Sequence, residues 1–404
     1  MGSGRGNFGM LLIAAACLVG CGGGGGGGPP PVPPMVVTSD PFQEDVLHYV
    51  EIEVSGDDLD DLVPDREERV PALLRYDGVD LENVGVRIKG HATARPSTDK
   101  PPFSVKTNEF VKGQALHGVK RFSLNNCVQD LSFLAEDLSY EVWRRAGAPV
   151  RRSAHARVTF NGRYLGVFVV TQSYEDEFLD QAFADDSGNL YEGVHGEDIS
   201  DPYALELDTN DDVNDRSHLQ ALADVVQFAS DADLPAALEA ILDVDAFLTY
   251  WAVEALVDHW DGYAGQNELL LPLGTLGPSN WQAYDDPATG LFTWLPHGTD
   301  QAMQREDVPV LRPPASNASL TARLFAHPLY RAAYEDRLRA VLLDAWDAEA
   351  LEARLDATLR RIEGSVREGD ASATFSLEMF HQVVGSVRSF VRHRAENVLD
   401  DLDG

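Results

Sequence analysis

The segment from 244 to 257, VDAFLTYWAVEALV, is apolar on almost every side when it is drawn as a helix. A helix of this kind must bury all its faces, so we expect a central helix around which the second half of the chain packs. The residues that follow read HWDGYAGQN from 259 to 267. This pattern predicts that Asp261 lies in a loop directly after a rigid, buried element.

A strand and a turn are predicted further on, where residues 291 to 303 read LFTWLPHGTDQAM and Asp300 falls on the turn. We expect residues 267–271 and 291–295 to pair as a hairpin, which would present Asn267 and Asp300 on the same side. Kinase-type phosphoryl transfer uses such a set of side chains. One Asp orients or deprotonates the attacking hydroxyl, while an Asn and a second Asp hold Mg²⁺.

The chain between 45 and 180 has the pattern of antiparallel strands with one packed helix. Alternating apolar residues predict strands at 47–54, 83–89, 102–106 and 120–124. Asn161-Gly162 between two apolar runs predicts a hairpin, and Leu131 to Ala146 has helical spacing. Residues 181–404 have a mainly helical pattern. The expected fold class is therefore α+β, with a β-rich N-terminal part and a mainly helical C-terminal part.

The first twenty residues have the pattern of a secretory signal, because one Arg precedes an apolar run too short to span a bilayer. The run ends in Leu-Val-Gly-Cys, which resembles the lipobox of bacterial lipoproteins. We expect residues 1–20 to be a signal peptide and Cys21 to be lipidated, anchoring an extracytoplasmic protein to an outer membrane or cell surface. An ordinary signal peptide with a chance Cys is the alternative.

Residues 21–44 are expected to form a tether, because a run of Gly from 22 to 28 is followed by PPPVPPM. Gly gives flexibility and Pro gives extension, and neither builds a core. The formal net charge is −34, from 32 Lys and Arg against 66 Asp and Glu. This charge argues against nucleic acid and anionic membrane surfaces as partners, because both are polyanions. The oligomeric state stays open.

Four stretches in series resemble the spore-coat protein H (CotH) kinase-like family. They are VRIKGHAT from 86, KPPFSVK from 100, LHGVKRFSLNN from 116, and LSYEVWRRAGAPVRRSAHARVTFNGRYLGVFVVTQSYEDEFL from 138. The motifs around Asp261 and Asp300 complete the series, which covers residues 45 to 304. The resemblance implies an atypical two-lobed kinase fold, with lobes at 45–180 and 181–404. It also implies ATP with Mg²⁺ or Mn²⁺, and phosphate transfer to Ser or Thr of a secreted or surface protein.

The resemblance assigns roles near the two acidic motifs. Asp261 takes the catalytic role, Asn267 supports the metal, and Asp300 is the metal-binding Asp. Lys106, at the end of a predicted strand, stands where kinases have the Lys that pairs with ATP. Lys100 and Lys89 compete with it for this role.

Two further features of the resemblance concern phosphate binding. Arg87 and Lys89 lie in the R-x-K-G stretch, which has the place of a phosphate contact in the family. The carboxylate partner of the ATP-binding Lys stays open between Glu136 and Glu141, because both lie on the predicted helix.

Two departures from the family pattern bear on activity. Gln172 stands where the family commonly has Glu, and Gly298 replaces the first of two acidic residues in a Pro-Trp-Asp-x-Asp motif. Losing a carboxylate removes one possible metal ligand. Two alternatives to a kinase therefore stay open. One is an inactive surface-binding or adhesion protein, and the other is an enzyme that transfers AMP.

Overall fold

The computed structural model describes residues 31–64, 66–90, 92–175, 177–194, 196–264 and 277–404. Seven strands close into a barrel in the order β1-β2-β3-β4-β5-β7-β6. They are β1 Leu47–Val54, β2 Val70–Tyr76, β3 Val79–Ile88, β4 Phe103–Lys106, β5 Arg121–Asn125, β6 Ser153–Phe160 and β7 Arg163–Gln172. Neighbours are antiparallel except β1 and β6, which run parallel and complete the barrel.

The barrel forms because its strands alternate apolar and polar residues, which places one face of each strand inside. β4 shows the pattern in four residues. Phe103 and Val105 are fully buried in the barrel core, while Ser104 and Lys106 alternate with them. The predicted β6–β7 hairpin is confirmed. Asn161 and Gly162 form its turn with φ values of 46° and 75°, the positive φ region that this pair tolerates.

A second sheet lies in the C-terminal half and has the order β11-β10-β8-β9. Its strands are β8 Asn189–Gly193, β9 Glu206–Leu207, β10 Trp281–Asp286 and β11 Leu291–Pro296. Residues 291–296 form β11, which pairs with β10. Residues 267–271 lie outside the described part of the chain. Trp281 and Ala283 on β10 face Pro296 and Trp294 on β11, which brings apolar side chains together.

Ten helices are seen within the described residues, and they confirm the mixed helix and strand class. Two lie between strands of the barrel: α1 Gly56–Leu59 follows β1, and α2 Ala135–Arg145 follows β5. The others are α3 Glu177–Ala182, α4 Ser217–Phe228, α5 Leu234–Glu239, α6 Val244–Leu256, α7 Ser319–Ala326, α8 Pro328–Asp344, α9 Ala348–Glu368 and α10 Leu377–Asp403. In the portion of the chain that is described, none of these helices is long and apolar enough to span a bilayer.

The predicted central helix is confirmed as α6, in which every residue from 247 to 256 is buried. It packs mainly on α8 and β11, and the ring of Trp251 stacks on Tyr334 at a centroid distance of 3.8 Å. Arg394 of α10 caps its C-terminal end by donating hydrogen bonds to the carbonyls of Ala255 and Leu256, at 2.8 and 3.0 Å. These contacts fix the point from which the Asp261 loop leaves.

The last part of the expected tether packs on the body. The Tyr76 hydroxyl donates to the carbonyl of Pro41 at 2.5 Å, and Arg152 pairs with Asp40 at 2.5 Å. The Tyr49 hydroxyl donates to the Pro33 carbonyl. The folded part therefore begins before residue 45, because this stretch finds hydrogen-bond partners on the barrel.

Candidate active site

A cleft with a volume of about 690 Å³ lies between the outer face of the barrel and the second sheet. The barrel contributes β3, β4 and β5, and the start of α2 lies beside them. The other wall comes from β8, β9, β10 and the loops after α6 and β11. The charged and amide side chains that line it include Arg69, Arg87, Lys89, Arg121, Glu136, Arg151, Glu192, Asp208, Asp261, Asn280, Gln282 and Asp300.

Asp261 lies in the loop after α6, as predicted, and Asn280 holds it in place. The Asn280 Nδ2 group donates to the Asp261 main-chain carbonyl at 2.9 Å and to its carboxylate Oδ2 at 2.8 Å. Burial raises the pKa of Asp261 to about 6, although the hydrogen bond from Asn280 opposes the shift. The loop thus presents a held carboxylate that takes up protons more readily than an exposed Asp.

Asp300 lies on a short 3₁₀ turn, Thr299–Gln301, directly after β11. Burial raises its pKa well above the usual value for Asp. Repulsion from Glu136, Asp130 and Asp261 adds to the shift, while the positive charge of Lys89 opposes it. The structure therefore brings both predicted Asp residues into one cleft, close enough for their charges to repel each other.

Asp300 has the chemistry of a ligand in a magnesium site that a substrate would complete. Within the described residues, no three His, Cys, Asp or Glu side chains converge as a metal site. Mg²⁺ is commonly bound through one or two carboxylates together with substrate phosphates. Asp300 lines the cleft and is repelled by neighbouring carboxylates, so it fits such an ion, and the Asn280 amide lines the same cleft.

Asn280 was missed by the sequence reasoning, and the predicted Asn267 lies outside the described residues. The register of the β10–β11 hairpin indicates the position of Asn280. Trp281 pairs with Pro296, so the residue before β10 must lie beside the residue after β11. The His297 N–H accordingly donates to the Asn280 carbonyl at 3.2 Å. Asn280 therefore connects the loop of Asp261 to the loop of Asp300.

Gly298, one of the two departures from the family pattern, occupies a position with no room for a side chain. Its φ is +56°, and a Cβ atom there would lie 2.6 Å from Asn280 Oδ1. The space of the missing acidic side chain is thus taken by the Asn280 amide. Gln172, the other departure, is buried at the end of β7, where its Oε1 accepts from the Arg152 N–H at 3.4 Å.

Lys89 is the one of the three predicted Lys residues that the structure places in the cleft. Burial lowers its pKa, and so does Arg151, while attraction to Glu136, Glu192 and Asp300 acts in the opposite direction. The ammonium group therefore lies among carboxylates from three different elements. These carboxylates favour the charged form of the Lys89 ammonium, against the effect of burial.

Lys106 and Lys100, the other two Lys residues predicted to bind ATP, are not among the residues that line the cleft. Lys106 pairs with Glu109 at 2.8 Å and is not part of the cleft lining. Lys100 is 1% exposed, because its ammonium donates to the Val167 carbonyl at 3.0 Å and pairs with Asp370 at 2.5 Å. Lys106 is thus paired with a residue three positions on, whereas the partners of Lys100 are far along the chain and the sequence pattern did not show them.

Glu136 is the helix carboxylate that reaches the cleft. Its Oε2 accepts from Asn125 of β5 at 2.6 Å, and its Oε1 accepts from the Tyr140 hydroxyl at 2.9 Å. Glu141, the other candidate, pairs instead with Arg144 and Arg145 at 2.6 and 2.7 Å. Of the two, Glu136 is thus the one that lines the cleft and attracts the Lys89 ammonium.

The two walls of the cleft carry opposite charges further from the Asp pair. The predicted Arg87 lines the barrel side with Arg69 and Arg121. Burial lowers the pKa of Arg69 to about 10, and repulsion by the other two Arg residues contributes. On the opposite wall, Gln282 donates to Glu192 and Asp208 at 2.7 and 3.0 Å. A bound molecule would therefore meet cations on one side and acceptors on the other.

The sequence is similar to those of known proteins. The sequence profile of the family described as CotH kinase protein matches residues 86–398. A curated relative is the inner spore coat protein H of Bacillus subtilis (strain 168). It is 21% identical over 310 residues, which is 72% of this chain and 81% of the relative.

Two solved structures show a weaker likeness. The Helicobacter pylori proinflammatory kinase CtkA has a TM-score of 0.34 and 8% identity, covering 74% of this chain and 92% of that chain. The complex of the Shewanella oneidensis MR-1 toxin–antitoxin system HipA and HipB with operator DNA has a TM-score of 0.30 and 13% identity. That match covers 84% of this chain and 67% of that chain.

Proposed function

The chain belongs to the CotH kinase protein family, and on that premise we propose that it is an extracytoplasmic, lipid-anchored protein kinase. Its substrates are ATP and a Ser or Thr hydroxyl of a secreted or surface protein. It has a two-lobed kinase-like fold, in which the barrel is the N-terminal lobe and the helices with the second sheet are the C-terminal lobe.

The observation that carries the proposal is the convergence of three charged groups in the cleft. Asp261 and Asp300 come from loops 39 residues apart in sequence, and Lys89 comes from the opposite wall. Catalysis of phosphoryl transfer depends mainly on positioning and on neutralising charge, and it needs two carboxylates and a cation around the phosphates. These three side chains supply that set.

Each side chain has one task in the proposed reaction. The acceptor hydroxyl oxygen forms a bond to the γ-phosphorus, while the bond from that phosphorus to the β–γ bridging oxygen breaks and leaves ADP. Asp261 takes the hydroxyl proton, for which a pKa of about 6 is well suited. Lys89 neutralises charge on the phosphate oxygens, and Glu136 orients Lys89.

Asp300 is the principal residue that would hold Mg²⁺, and Asn280, which lines the same cleft, would supply an amide oxygen. When bound, Mg²⁺ neutralises charge on the phosphate oxygens. The repulsion that Asp300 experiences from Glu136, Asp130 and Asp261 is the physical reason for a cation at this position.

Replacing Lys89 by Met is expected to weaken the binding of Mg²⁺–ATP by roughly 10-fold or more, because charge-assisted hydrogen bonds contribute about 1.5–3 kcal/mol. Lys106→Met is the matched control, since Lys106 pairs with Glu109 and does not line the cleft. Isothermal titration with a non-hydrolysable ATP analogue measures both. Equal losses in the two variants, or no binding by the wild type, would contradict the proposed nucleotide site.

The lipid anchor is part of the proposal, and it rests on the Leu-Val-Gly-Cys sequence ending at Cys21. Cys21→Ser is expected to move the protein from the membrane fraction to the aqueous fraction of a bacterial host, because it removes the thiol that carries the acyl chains. Fractionation and immunoblotting measure this shift, with Cys127→Ser as the matched control. An unchanged membrane fraction for Cys21→Ser would contradict the anchor.

A further inference from the structure

Glu254 has a buried carboxylate that the proposed reaction does not use. It lies in the last turn of α6 and is 2% exposed. Its side chain projects into the loop that returns over the helix end and carries Asp261. Oε2 accepts a hydrogen bond from the Tyr263 N–H at 3.0 Å, and Oε1 accepts one from the Ala264 N–H at 2.7 Å. One carboxylate thus holds two consecutive main-chain groups of the loop.

The loop is wound closely around this carboxylate. A Cβ atom on Gly262 would lie 2.7 Å from the carboxyl carbon and Oε2 of Glu254, and 2.7 Å from His259 Nδ1. Real Cβ atoms do not approach carbonyl or ring atoms so closely, so only Gly fits between Asp261 and Tyr263. Glu254 therefore fixes the path of the main chain at Gly262, the residue next to Asp261.

An anion at this position costs free energy. The C-terminal end of a helix carries a partial negative charge, which repels a carboxylate. Burial raises the pKa of Glu254 to about 7, although the two loop N–H groups oppose this shift. Packing alone would be satisfied by an apolar side chain of similar size. The two N–H groups explain the carboxylate, because they require two acceptor oxygens on one side chain.

Asp261 is held from two directions as a result. Asn280 binds its carboxylate and its carbonyl from the cleft side. From the helix side, Glu254 accepts hydrogen bonds from the N–H groups of Tyr263 and Ala264, the second and third residues after Asp261. We propose that Glu254 is a positioning residue for the transfer reaction, which fixes the loop so that the Asp261 carboxylate faces the acceptor hydroxyl. This inference rests on the proposed function.

The main test replaces Glu254 by Gln, which keeps the size but leaves one loop N–H facing an NH₂ group. The expected result is a fall in kcat of about 10–100-fold, since small misplacements of a catalytic group cost up to about 10²-fold, with an unchanged KM for ATP. Glu254→Gln in an Asp261→Asn background should cause no further fall, because Glu254 acts through Asp261. Additive losses in the double variant would overturn the proposal.

A structural control separates positioning from general loss of stability. Tyr334→Leu removes the ring that stacks on Trp251, so it weakens the packing of the same helix without touching the loop. At temperatures where both variants are folded, Tyr334→Leu should retain the wild-type kcat. If both variants lose kcat in proportion to their loss of Tm, Glu254 is only structural and the proposal fails. Should Glu254→Gln not fold, Gly262→Ala tests the same contact from the loop side.

Hydrogen exchange provides a readout that does not depend on phosphate transfer. Glu254→Gln should increase amide exchange at Tyr263 and Ala264 and leave exchange in β10 unchanged. Faster exchange without any wild-type transferase activity would refute the proposed function while confirming that Glu254 holds the loop. Unchanged exchange at both amides would refute the role of Glu254, whatever the activity.

Discussion

Asp300→Asn is expected to lower the rate of phosphate transfer on the order of 10³-fold or more, because it removes charge stabilisation worth several kcal/mol at the reacting phosphate. The same change should leave the protein at least as stable as the wild type. Burial and neighbouring carboxylates raise the pKa of Asp300 above its unfolded value. Ionising Asp300 therefore costs folding free energy at neutral pH, and neutral Asn avoids this cost.

Two measurements check this prediction. The initial rate of transfer gives the loss of activity, and thermal unfolding with and without Mg²⁺–ATP gives the loss of binding. The wild-type Tm should rise with Mg²⁺–ATP, and that of Asp300→Asn should rise much less. Asp285→Asn is the matched control, since Asp285 lies at the other end of the same hairpin and bonds to His218 at 2.7 Å. Wild-type rates in Asp300→Asn would remove Asp300 from the site.

Asp261→Asn should lower kcat by roughly 10²–10⁴-fold, the contribution of a positioned general base. The KM for ATP should change little, because Asp261 acts on the acceptor hydroxyl. Asn retains an oxygen that accepts from Asn280 Nδ2, so the loop should keep its conformation. Steady-state kinetics with ATP and acceptor varied separately measure both constants.

The outcome for Asp261 also distinguishes its role from that of Asp300. A large rise in the KM for ATP with an unchanged kcat would assign Asp261 to nucleotide binding, contrary to the account. An unchanged kcat and KM would remove it from the reaction altogether. The Asn280 contacts make Asn280→Ala a useful companion variant, because it releases the Asp261 side chain without changing its charge.

Local patterns predicted the parts of this fold that depend on neighbouring residues. The apolar run of α6, the Asn161-Gly162 turn and the loop positions of Asp261 and Asp300 all follow from a few consecutive residues. Strand β2 was not predicted, because Pro71 within Val70–Tyr76 weakens a strand pattern. The parallel pairing of β1 with β6, which closes the barrel, joins residues about a hundred positions apart and has no local signal.

The choice among the three Lys residues likewise depends on contacts that local sequence patterns do not show. Lys89, Lys100 and Lys106 all lie at or near predicted strands, and sequence alone does not rank them. The structure distinguishes Lys100 and Lys106 from Lys89 by their partners: Asp370 binds Lys100 from the connection after α9, and Glu109 pairs with Lys106. Asn280 was missed because strand β10, which follows it, was not predicted as a partner of residues 291–295. The correct register places it beside the Asp300 loop.

The most direct test of the proposed function incubates the protein and a basic, Ser-containing acceptor protein with Mg²⁺ and ATP labelled on either the γ- or the α-phosphate. We expect covalent γ-label on protein hydroxyls with the wild type, none with Asp300→Asn, and no α-label with either. Incorporation of α-label would instead show AMP transfer. Absence of any label, combined with no binding of Mg²⁺–ATP, would contradict the kinase account and favour a binding protein that keeps the family fold without its chemistry.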